Sequence, residues 1–295
     1  MQATAKLKIA NQKTCSCPSS HLNCLDAKQW IKSQVGVWQV YYEGRDVRDK
    51  AVHPAVMPLN LAKRVIELFT HRGELVLDPF AGIGTTLLAA KDLGRNAVGF
   101  DILQRYCDTS LDRLAEMKSS GGTKQIPICD DANNISGYLE DGSVKLIFTS
   151  PPYANLLNRK RLNKSRRGNL RRNRQYLRVE QYSQDKRDLG TMQIEEYAHK
   201  LGAIYGKLLP VLMPRGHNVI NVPDMWWSNG RSGIRIPIHI YVYHAMVEAG
   251  YELRNTIIWD RTNIVNRVGI FGWPSNYITM GTTFEYLLDF WKPDA

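Results

Sequence analysis

The chain has 295 residues, 43% of them hydrophobic, and a formal net charge of +11. This length suits one large α/β domain with insertions, and this composition can fill a sizeable core. No run approaches roughly 18 uninterrupted apolar residues, and the basic N-terminus lacks the apolar segment of a signal peptide. We therefore expect no membrane span and no leader, and we predict a cytoplasmic protein.

The first 35 residues are polar and without clear periodicity, and we interpret residues 1–35 as an N-terminal arm. The arm holds three thiols and an imidazole, a ligand set that can complete a tetrahedral zinc site. The spacing C-x-C-x3-H-x2-C is not a common zinc pattern, however. We favour an arm with incidental thiols and no metal, and we leave open whether zinc binds at these four residues: Cys15, Cys17, His21 and Cys24.

Hydrophobic patterning predicts one βαβ unit in the first half of the chain. An extended piece begins at Val35-Gly36, and an amphipathic helix is predicted at about 60–70. The short apolar run 75–77 is typical of a buried parallel strand. A glycine-rich turn, a helix at about 85–93 and a strand at 97–100 follow it.

The alternation continues to the C-terminus. Helices are predicted at about 103–118, 193–213 and 236–249. Further strands are predicted at 125–129, 144–149, 217–222, 251–259 and 285–291. Seven strands with interleaved helices and no internal repeat predict an α/β fold with a doubly wound, mostly parallel, seven-stranded sheet.

The turn after the first strand of this unit predicts a nucleotide-type binding site. It runs Asp78-Pro-Phe-Ala-Gly-Ile-Gly-Thr-Thr86. It lacks the lysine of a phosphate-binding loop and the third glycine of a dinucleotide fingerprint, so it fits a nucleoside without pyrophosphate. Asp101 ends the next strand, where a carboxylate can accept both hydroxyls of a ribose, and Asp131 follows the third strand. A single carboxylate at a strand end is equally often a cap or turn residue that binds no ligand.

The charge of the chain is concentrated in one segment. Residues 157–178 contain ten Lys or Arg and no acidic residue, so the rest of the chain is near neutral. Such a segment either binds a polyanion or is a solvated, flexible loop. The two interpretations are compatible, because counterion release from phosphates needs only cations that can reach them.

The glycine turn together with Thr149-Ser-Pro-Pro-Tyr153 resembles the DNA amino-methyltransferases of the N4-cytosine/N6-adenine class, over roughly residues 50–292. His53-Pro54 with Pro58 resembles a family segment that helps to hold the cofactor's methionine part. Residues 250–259 and 284–292 resemble later strand motifs. The cofactor motifs here precede Ser-Pro-Pro-Tyr, whereas many members have the reverse order.

The resemblance implies a Rossmann-like methyltransferase domain at 36–295 that binds S-adenosylmethionine. Asp78 and the glycine loop would face the methionine part, Asp101 the ribose and Asp131 the adenine amino group. The cofactor-binding residues so implied are His53, Pro54, Asp78, Pro79, Phe80, Gly82, Gly84, Thr85, Asp101 and Asp131.

The Ser-Pro-Pro-Tyr segment suits methylation of an exocyclic amino group, which is a poor nucleophile because its lone pair is delocalised. Ser150 and a proline carbonyl can accept the amino hydrogens, and the prolines Pro151 and Pro152 stiffen the loop. Tyr153 offers a ring on which a flipped base can stack. In the family, Ser at this first position is typical of cytosine N4 enzymes, whereas Asp or Asn is typical of adenine N6 enzymes. We predict cytosine N4, with adenine N6 as the alternative.

Double-stranded DNA is the expected substrate and base flipping the expected route, which would make the protein nucleoid-associated. We expect recognition loops at about 223–235 and 260–280, and a basic insertion at about 156–180 that holds phosphates through Arg159, Lys160, Arg161, Arg166, Arg167, Arg171 and Arg172. An RNA methyltransferase and a non-catalytic nucleic-acid-binding module remain as alternatives. Whether a restriction endonuclease acts on the same site is open.

Overall fold

The computed structural model describes residues 6–18, 20–50, 52–53, 55–118, 121–157, 183, 185–228, 233–262 and 280–294. The helices within these ranges are α1 (Ala27–Ser33), α2 (Gly44–Asp49), α3 (Leu59–Phe69), α4 (Thr85–Leu93), α5 (Gln104–Ala115), α6 (Ile135–Tyr138), α7 (Ile194–Leu208) and α8 (Ile238–Glu248). In this part of the chain, none of the helices has both the length and the apolar character that a membrane crossing requires.

The strands are β1 (Val37–Gln39), β2 (Leu75–Asp78), β3 (Asn96–Asp101), β4 (Gln125–Cys129), β5 (Val144–Thr149), β6 (Leu212–Val222), β7 (Met225–Ser228), β8 (Gly233–Ile236), β9 (Glu252–Asp260) and β10 (Phe284–Trp291). Short 3-10 turns lie at Ala132–Asn134, Ala154–Leu157 and Leu189–Thr191.

Eight strands form the main sheet, in the order β1-β9-β10-β6-β5-β2-β3-β4. The strands from β6 to β4 pair in parallel, and so do β1 and β9, while β10 runs antiparallel between β6 and β9. The predicted doubly wound, mostly parallel sheet is confirmed. The predicted count of seven was one too low because β1 has three residues, too few to show a strand period.

Both faces of the sheet are covered, as the doubly wound prediction requires. Along β2, Leu75 and Leu77 face the core beneath α7 and α8, and Val76 faces the core beneath α3 and α4. This alternation follows from the two-residue period of a strand. Because both faces are buried, β2 is apolar along its first three residues.

The chain direction across the sheet reverses between β2 and β5. From β2 the chain moves outward through β3 to β4, and then β5 returns to the other side of β2. Connections on opposite faces leave a crevice at the carboxyl ends of the strands at such a switch point, where open α/β sheets bind ligands. Asp78 and Asp101 end β2 and β3, and Asp131 and Ser150 follow β4 and β5, so all four residues lie at this end of the sheet.

The segment expected to be an arm lies against the opposite, amino end of the sheet. The backbone N–H of Leu75 donates to Asn11 Oδ1 at 2.8 Å, and Asn96 Nδ2 donates to the carbonyl of Ala10 at 2.9 Å. The N–H of Leu7 donates to the carbonyl of Tyr138 at 2.7 Å. The first two bonds satisfy polar groups at the starts of β2 and β3, and the third satisfies a carbonyl at the end of α6.

Candidate active site

A cavity of about 710 Å³, partly open to solvent, lies at the carboxyl ends of β2, β3, β4 and β5. It brings together ten of the predicted site residues, which come from five separate stretches of the sequence: His53, Pro79, Phe80, Gly82, Asp101, Asp131, Ser150, Pro151, Pro152 and Tyr153. The position matches the crevice that the switch point creates.

The glycine loop wraps one wall of this cavity in a conformation that needs glycine. Gly82 and Gly84 have φ of +51° and +78°, in the left-handed region. A Cβ on Gly84 would lie 2.0 Å from Ser110 Oγ, and one on Gly82 would lie 3.1 Å from His53 Nε2. The loop therefore packs so closely on α5 and on His53 that side chains are excluded.

Asp78 stabilises the glycine loop without lining the cavity. Its side chain is 3% exposed and is not among the residues that line the cavity, and its Oδ1 accepts a hydrogen bond from the N–H of Phe80 at 3.1 Å. Burial raises the pKa of Asp78 to about 6. Gly84 and Thr85, also predicted to bind cofactor, form the start of α4 and do not line the cavity either.

Asp101 lines the cavity and is already engaged by the loop. Its Oδ2 accepts from the N–H of Gly82 at 3.0 Å, and its Oδ1 accepts from the N–H of Leu103 at 2.9 Å. Each carboxylate oxygen keeps a second acceptor site for a ligand hydroxyl. Burial raises the pKa of Asp101 to about 6, against the effect of these two bonds.

The strand end after β4 presents two further carboxylates. Asp131 Oδ1 accepts from both the backbone and the side-chain nitrogens of Asn133 at 2.8 Å, so the residue caps the turn as well as lining the cavity. Asp130, which sequence reasoning missed, also lines the cavity and accepts from the Tyr138 hydroxyl at 2.8 Å.

The Ser-Pro-Pro-Tyr segment follows β5 and faces the glycine loop across the cavity. Ser150 Oγ and Tyr153 Oη lie 2.7 Å apart, and Tyr153 is 8% exposed. Asn221, from β6, places its Nδ2 3.4 Å from Ser150 Oγ and 2.7 Å from Glu285 Oε2. Glu285 in turn pairs with Arg261. A series of polar contacts therefore links Ser150 through Asn221 and Glu285 to Arg261.

Other cavity residues escaped prediction because no local motif marks them. They are Tyr106 on α5, Arg187 and Asp188. The rings of Tyr106 and His53 meet edge to face, with centroids 4.8 Å apart. Burial, with the nearby cations Arg113 and Arg105, lowers the pKa of His53 to about 4, so its imidazole is neutral near pH 7.

Several predicted residues lie outside the described ranges. These are Pro54, the phosphate-binding residues of the basic insertion, and residues 229–232 and 263–279 of the two recognition loops. The described ends of the first loop form the antiparallel pair β7 and β8 beside the main sheet.

A known protein family resembles this chain over the stretch that contains the glycine loop. The family model described as DNA methylase, which spans the N6 and N4 classes, matches residues 4–112, the stretch that contains the glycine loop, Asp78 and Asp101. The chain resembles this DNA methylase family over that stretch. The resemblance on which the sequence-based assignment rested is thereby confirmed.

Two curated relatives of the family align over similar short stretches. The type II methyltransferase M.HindIII of Haemophilus influenzae is 46% identical over 72 residues, which cover 24% of this chain and 23% of the relative. The type II methyltransferase M.MjaI of Methanocaldococcus jannaschii is 37% identical over 103 residues, 33% of this chain and 30% of the relative. The chain thus spans less than a third of the length of these relatives.

Among solved structures, a SAM-dependent methyltransferase from Methanosarcina mazei aligns with a TM-score of 0.47 at 8% identity, covering 77% of this chain and 95% of that one. A likeness of this size says nothing about substrate. The fold is defined by the order of the eight strands in the main sheet.

Proposed function

We propose that the chain is an S-adenosylmethionine-dependent DNA methyltransferase that modifies the N4 amino group of cytosine. One observation carries the proposal: the Ser150–Tyr153 turn, the glycine loop and Asp101 all line one cavity. A methyl donor held by the loop and Asp101 would meet an acceptor base held by the turn inside it. The segments are about 50 residues apart in sequence, and only the fold brings them together.

The wall built from β2, β3 and β4 fits S-adenosylmethionine by the chemistry of its groups. Asp101 and Asp131 offer carboxylate oxygens at successive strand ends, which suit ribose hydroxyls and an adenine amino group. Phe80, Ile102 and Leu103 add apolar surface on which a purine can pack. When bound there, S-adenosylmethionine supplies an electrophilic methyl group.

Ser150 supplies the acceptor for the base. When Ser150 donates its hydrogen to Tyr153 Oη, both lone pairs of its Oγ can accept: one faces Asn221 Nδ2 at 3.4 Å, and the other can accept one hydrogen of a base amino group. A proline backbone carbonyl of the same turn accepts the other. Both acceptors draw the amino nitrogen toward a tetrahedral form and free its lone pair. Because both sit on a rigid turn, they need no reorganisation during the reaction.

The chemistry proposed for the turn requires no catalytic base. No strong base is needed, since the nitrogen becomes acidic once it carries the methyl group and then loses a proton. His53, uncharged near pH 7, adds no positive charge beside a sulfonium cofactor. The choice of cytosine over adenine rests on Ser150, the residue type typical of the cytosine enzymes in the family.

DNA as the polymer rests on the basic insertion and on the family. An exocyclic amino group inside a duplex is out of reach, so the base must be flipped into the cavity. The insertion begins four residues after Tyr153, which lines the cavity, and we expect its ten cations to hold phosphates around the flipped nucleotide. With a restriction endonuclease that cuts the same DNA site, the protein would be the modification enzyme of a restriction–modification pair.

The test uses S-adenosylmethionine carrying a tritiated methyl group, with unmethylated genomic DNA and total RNA as parallel substrates. We expect label in DNA that deoxyribonuclease removes and ribonuclease does not. Ser150→Ala, assayed in parallel after its cofactor binding is shown to be intact, should transfer little. Label in RNA alone, or none in either polymer with the cofactor bound, would overturn the proposal.

A further inference from the structure

A cluster of metal-ligand side chains lies at the end of the sheet opposite the active site. It comprises Cys15, Cys17, Cys24 and His71, and we call it the cysteine–histidine cluster. One ligand atom from each residue lies within 4.8 Å of the others. Cys15 Sγ is 3.4 Å and Cys24 Sγ 3.5 Å from His71 Nδ1. The cluster joins the N-terminal arm to the residue just after α3.

These separations match the edges of a tetrahedral zinc site. With Zn–S of about 2.3 Å and Zn–N of about 2.1 Å, the sulfur and nitrogen ligands of a tetrahedron are about 3.6 Å apart. The two measured sulfur–nitrogen distances lie within about 0.2 Å of this edge. A thiol–imidazole hydrogen bond would account for one sulfur near the nitrogen, but not for three sulfurs gathered around it.

His71 has the tautomer in which Nδ1 carries a lone pair that can bind a metal ion. Its Nε2 lies 2.9 Å from the backbone carbonyl oxygen of His21. A carbonyl can only accept, so Nε2 carries the hydrogen and Nδ1 presents a lone pair to the thiols. Metal-bound histidines commonly have this outer bond to a carbonyl, which fixes the ring and raises its basicity. The side chain of His21 itself is exposed.

The backbone around the cluster is arranged to hold thiolates. The N–H of Arg72 points at Cys24 Sγ at 3.4 Å, and Lys13 Nζ donates to the carbonyls of Cys17 and Pro18. Gly73, with φ of +84°, allows the arm to come so close that a Cβ there would lie 2.4 Å from the carbonyl oxygen of Gln12.

A buried cation beside the cluster gives independent support. Arg95 is 3% exposed, and its hydrogen bonds go to neutral oxygens of Thr70 and Leu93. In the described part of the chain it forms no ion pair, although it lies near enough to Cys24 and Glu67 to interact with them electrostatically. A buried guanidinium needs a counter-charge. Zinc with three thiolates and a neutral imidazole carries a net charge of −1 and would supply it.

We propose that the chain binds one structural zinc ion through Cys15, Cys17, Cys24 and His71. Protein atoms fill all four positions, which leaves none for a substrate, and the site faces away from the active-site cavity. Three soft thiolates with one imidazole favour zinc over hard cations. The ion fastens residues 15–24 to the segment between α3 and β2, so it contributes to folding rather than to catalysis.

The first test measures metal in the full-length protein purified without chelator. We expect one zinc ion per chain. Exchange for cobalt should give the ligand-field bands of tetrahedral coordination together with a thiolate-to-cobalt charge-transfer band. These measurements need no variant, so they decide the proposal even if a cluster substitution prevents folding. A folded protein that takes up neither metal, or a disulfide between cluster cysteines in freshly prepared protein, would overturn it.

Two matched pairs of variants test the assignment of ligands. His71→Ala should lose the zinc whereas His21→Ala keeps it, because only the backbone carbonyl of His21 contacts the cluster. Cys24→Ser should lose it whereas Cys129→Ser, at the other end of the sheet, keeps it. Zinc lost from His21→Ala and kept in His71→Ala would overturn the ligand set.

Limited proteolysis tests the structural role. Zinc removal with a chelator should expose the arm to trypsin at Lys13, with cleavage at least about tenfold faster than in the zinc-loaded protein, since ordering of the arm is linked to metal binding. Adding zinc back should restore protection. Equal cleavage rates with and without zinc would show that the ion does not hold the arm.

Discussion

The hydroxyl groups of Ser150 and Tyr153 lie 2.7 Å apart on the turn that follows β5. In the proposed reaction this contact would give the tyrosine a second task besides offering a ring to the base. With Tyr153 Oη as the acceptor of the serine's hydrogen, the lone pairs of Ser150 Oγ remain available to accept hydrogen bonds. The pair thus sets the geometry in which an amino group would be held.

Removing the tyrosine hydroxyl should slow methyl transfer without affecting cofactor binding. In Tyr153→Phe the ring remains but Ser150 loses its partner, and we expect the single-turnover rate to fall roughly 10-fold; Ser150→Ala should cost roughly 100-fold, as for other preorganised hydrogen-bond groups. KM for S-adenosylmethionine should change less than about twofold. Tyr243→Phe, on the outer face of α8, is the matched control. If Tyr153→Phe keeps the single-turnover rate of the unmodified protein, the hydroxyl of Tyr153 does not contribute to methyl transfer and only its ring does.

Cofactor affinity should fall in mild acid through Asp101. Burial raises its pKa to about 6. In the proposed placement of the cofactor, the ionised carboxylate would accept two ribose hydroxyls. Below pH 6 the carboxyl becomes protonated, so the Kd for S-adenosylhomocysteine should rise about tenfold between pH 7 and pH 5. Calorimetric titration at several pH values measures this rise.

Asp101→Asn separates this residue from its neighbour Asp78, whose pKa burial also raises to about 6. The amide cannot ionise, so the variant should bind more weakly at pH 7 and with little dependence on pH. The same pH profile in Asp101→Asn as in the unmodified protein would assign the titration to Asp78 instead.

The close approach of Gly84 to Ser110 should make that glycine costly to replace. Gly94 has a similar φ of +72°, and a Cβ added there would meet no atom within 4 Å, so Gly94→Ala should cost only the left-handed strain, about 1–2 kcal/mol. Gly84→Ala adds a clash 2.0 Å from Ser110 Oγ and should cost about 1–3 kcal/mol more. Denaturant unfolding measures both. A smaller effect of Gly84→Ala in a Ser110→Gly background would show that the clash is the cause; equal costs in both backgrounds would refute it.

Charge reversal in the basic insertion should weaken DNA binding and flatten its salt dependence. Changing Arg159, Lys160 and Arg161 to Glu removes up to three phosphate contacts, so the slope of log K against log salt should fall by up to about 2.7. The control reverses three exposed lysines elsewhere, Lys28, Lys32 and Lys118, and has the same net charge. Equal losses in both variants would mean that net charge, not the insertion, drives binding.

The sheet could be predicted where apolar runs are bounded by polar residues. α4, β4 and β5 have the bounds that the sequence predicted, because polar or glycine residues mark a clear start and stop for each. β6 begins five residues earlier than predicted, at Leu212, since its first residues are partly exposed and lack an apolar run. The three-residue β1 exists only through its pairing with β9.

The active site was predictable to the extent that motifs sit at strand ends, because parallel strands bring their carboxyl ends to one edge. Tyr106 and Asp188 reach the cavity from a helix and a loop with no such rule to place them. The cysteine–histidine cluster shows the same limit of sequence-based prediction. Local spacing grouped His21 with the three cysteines. In the structure the imidazole beside the thiols belongs to His71, some 50 residues further along the sequence. Only tertiary packing brings such residues together.

The identity of the methylated base tests the central claim most directly. DNA labelled by the purified protein is hydrolysed to nucleosides, which are separated by liquid chromatography and identified by mass. We expect the label in N4-methylcytosine. Label in N6-methyladenine would keep the amino-group chemistry but contradict the choice of cytosine. Label in 5-methylcytosine would contradict the account itself, because methylation at ring carbon uses none of the hydrogen-bond acceptors that Ser150 and its turn provide.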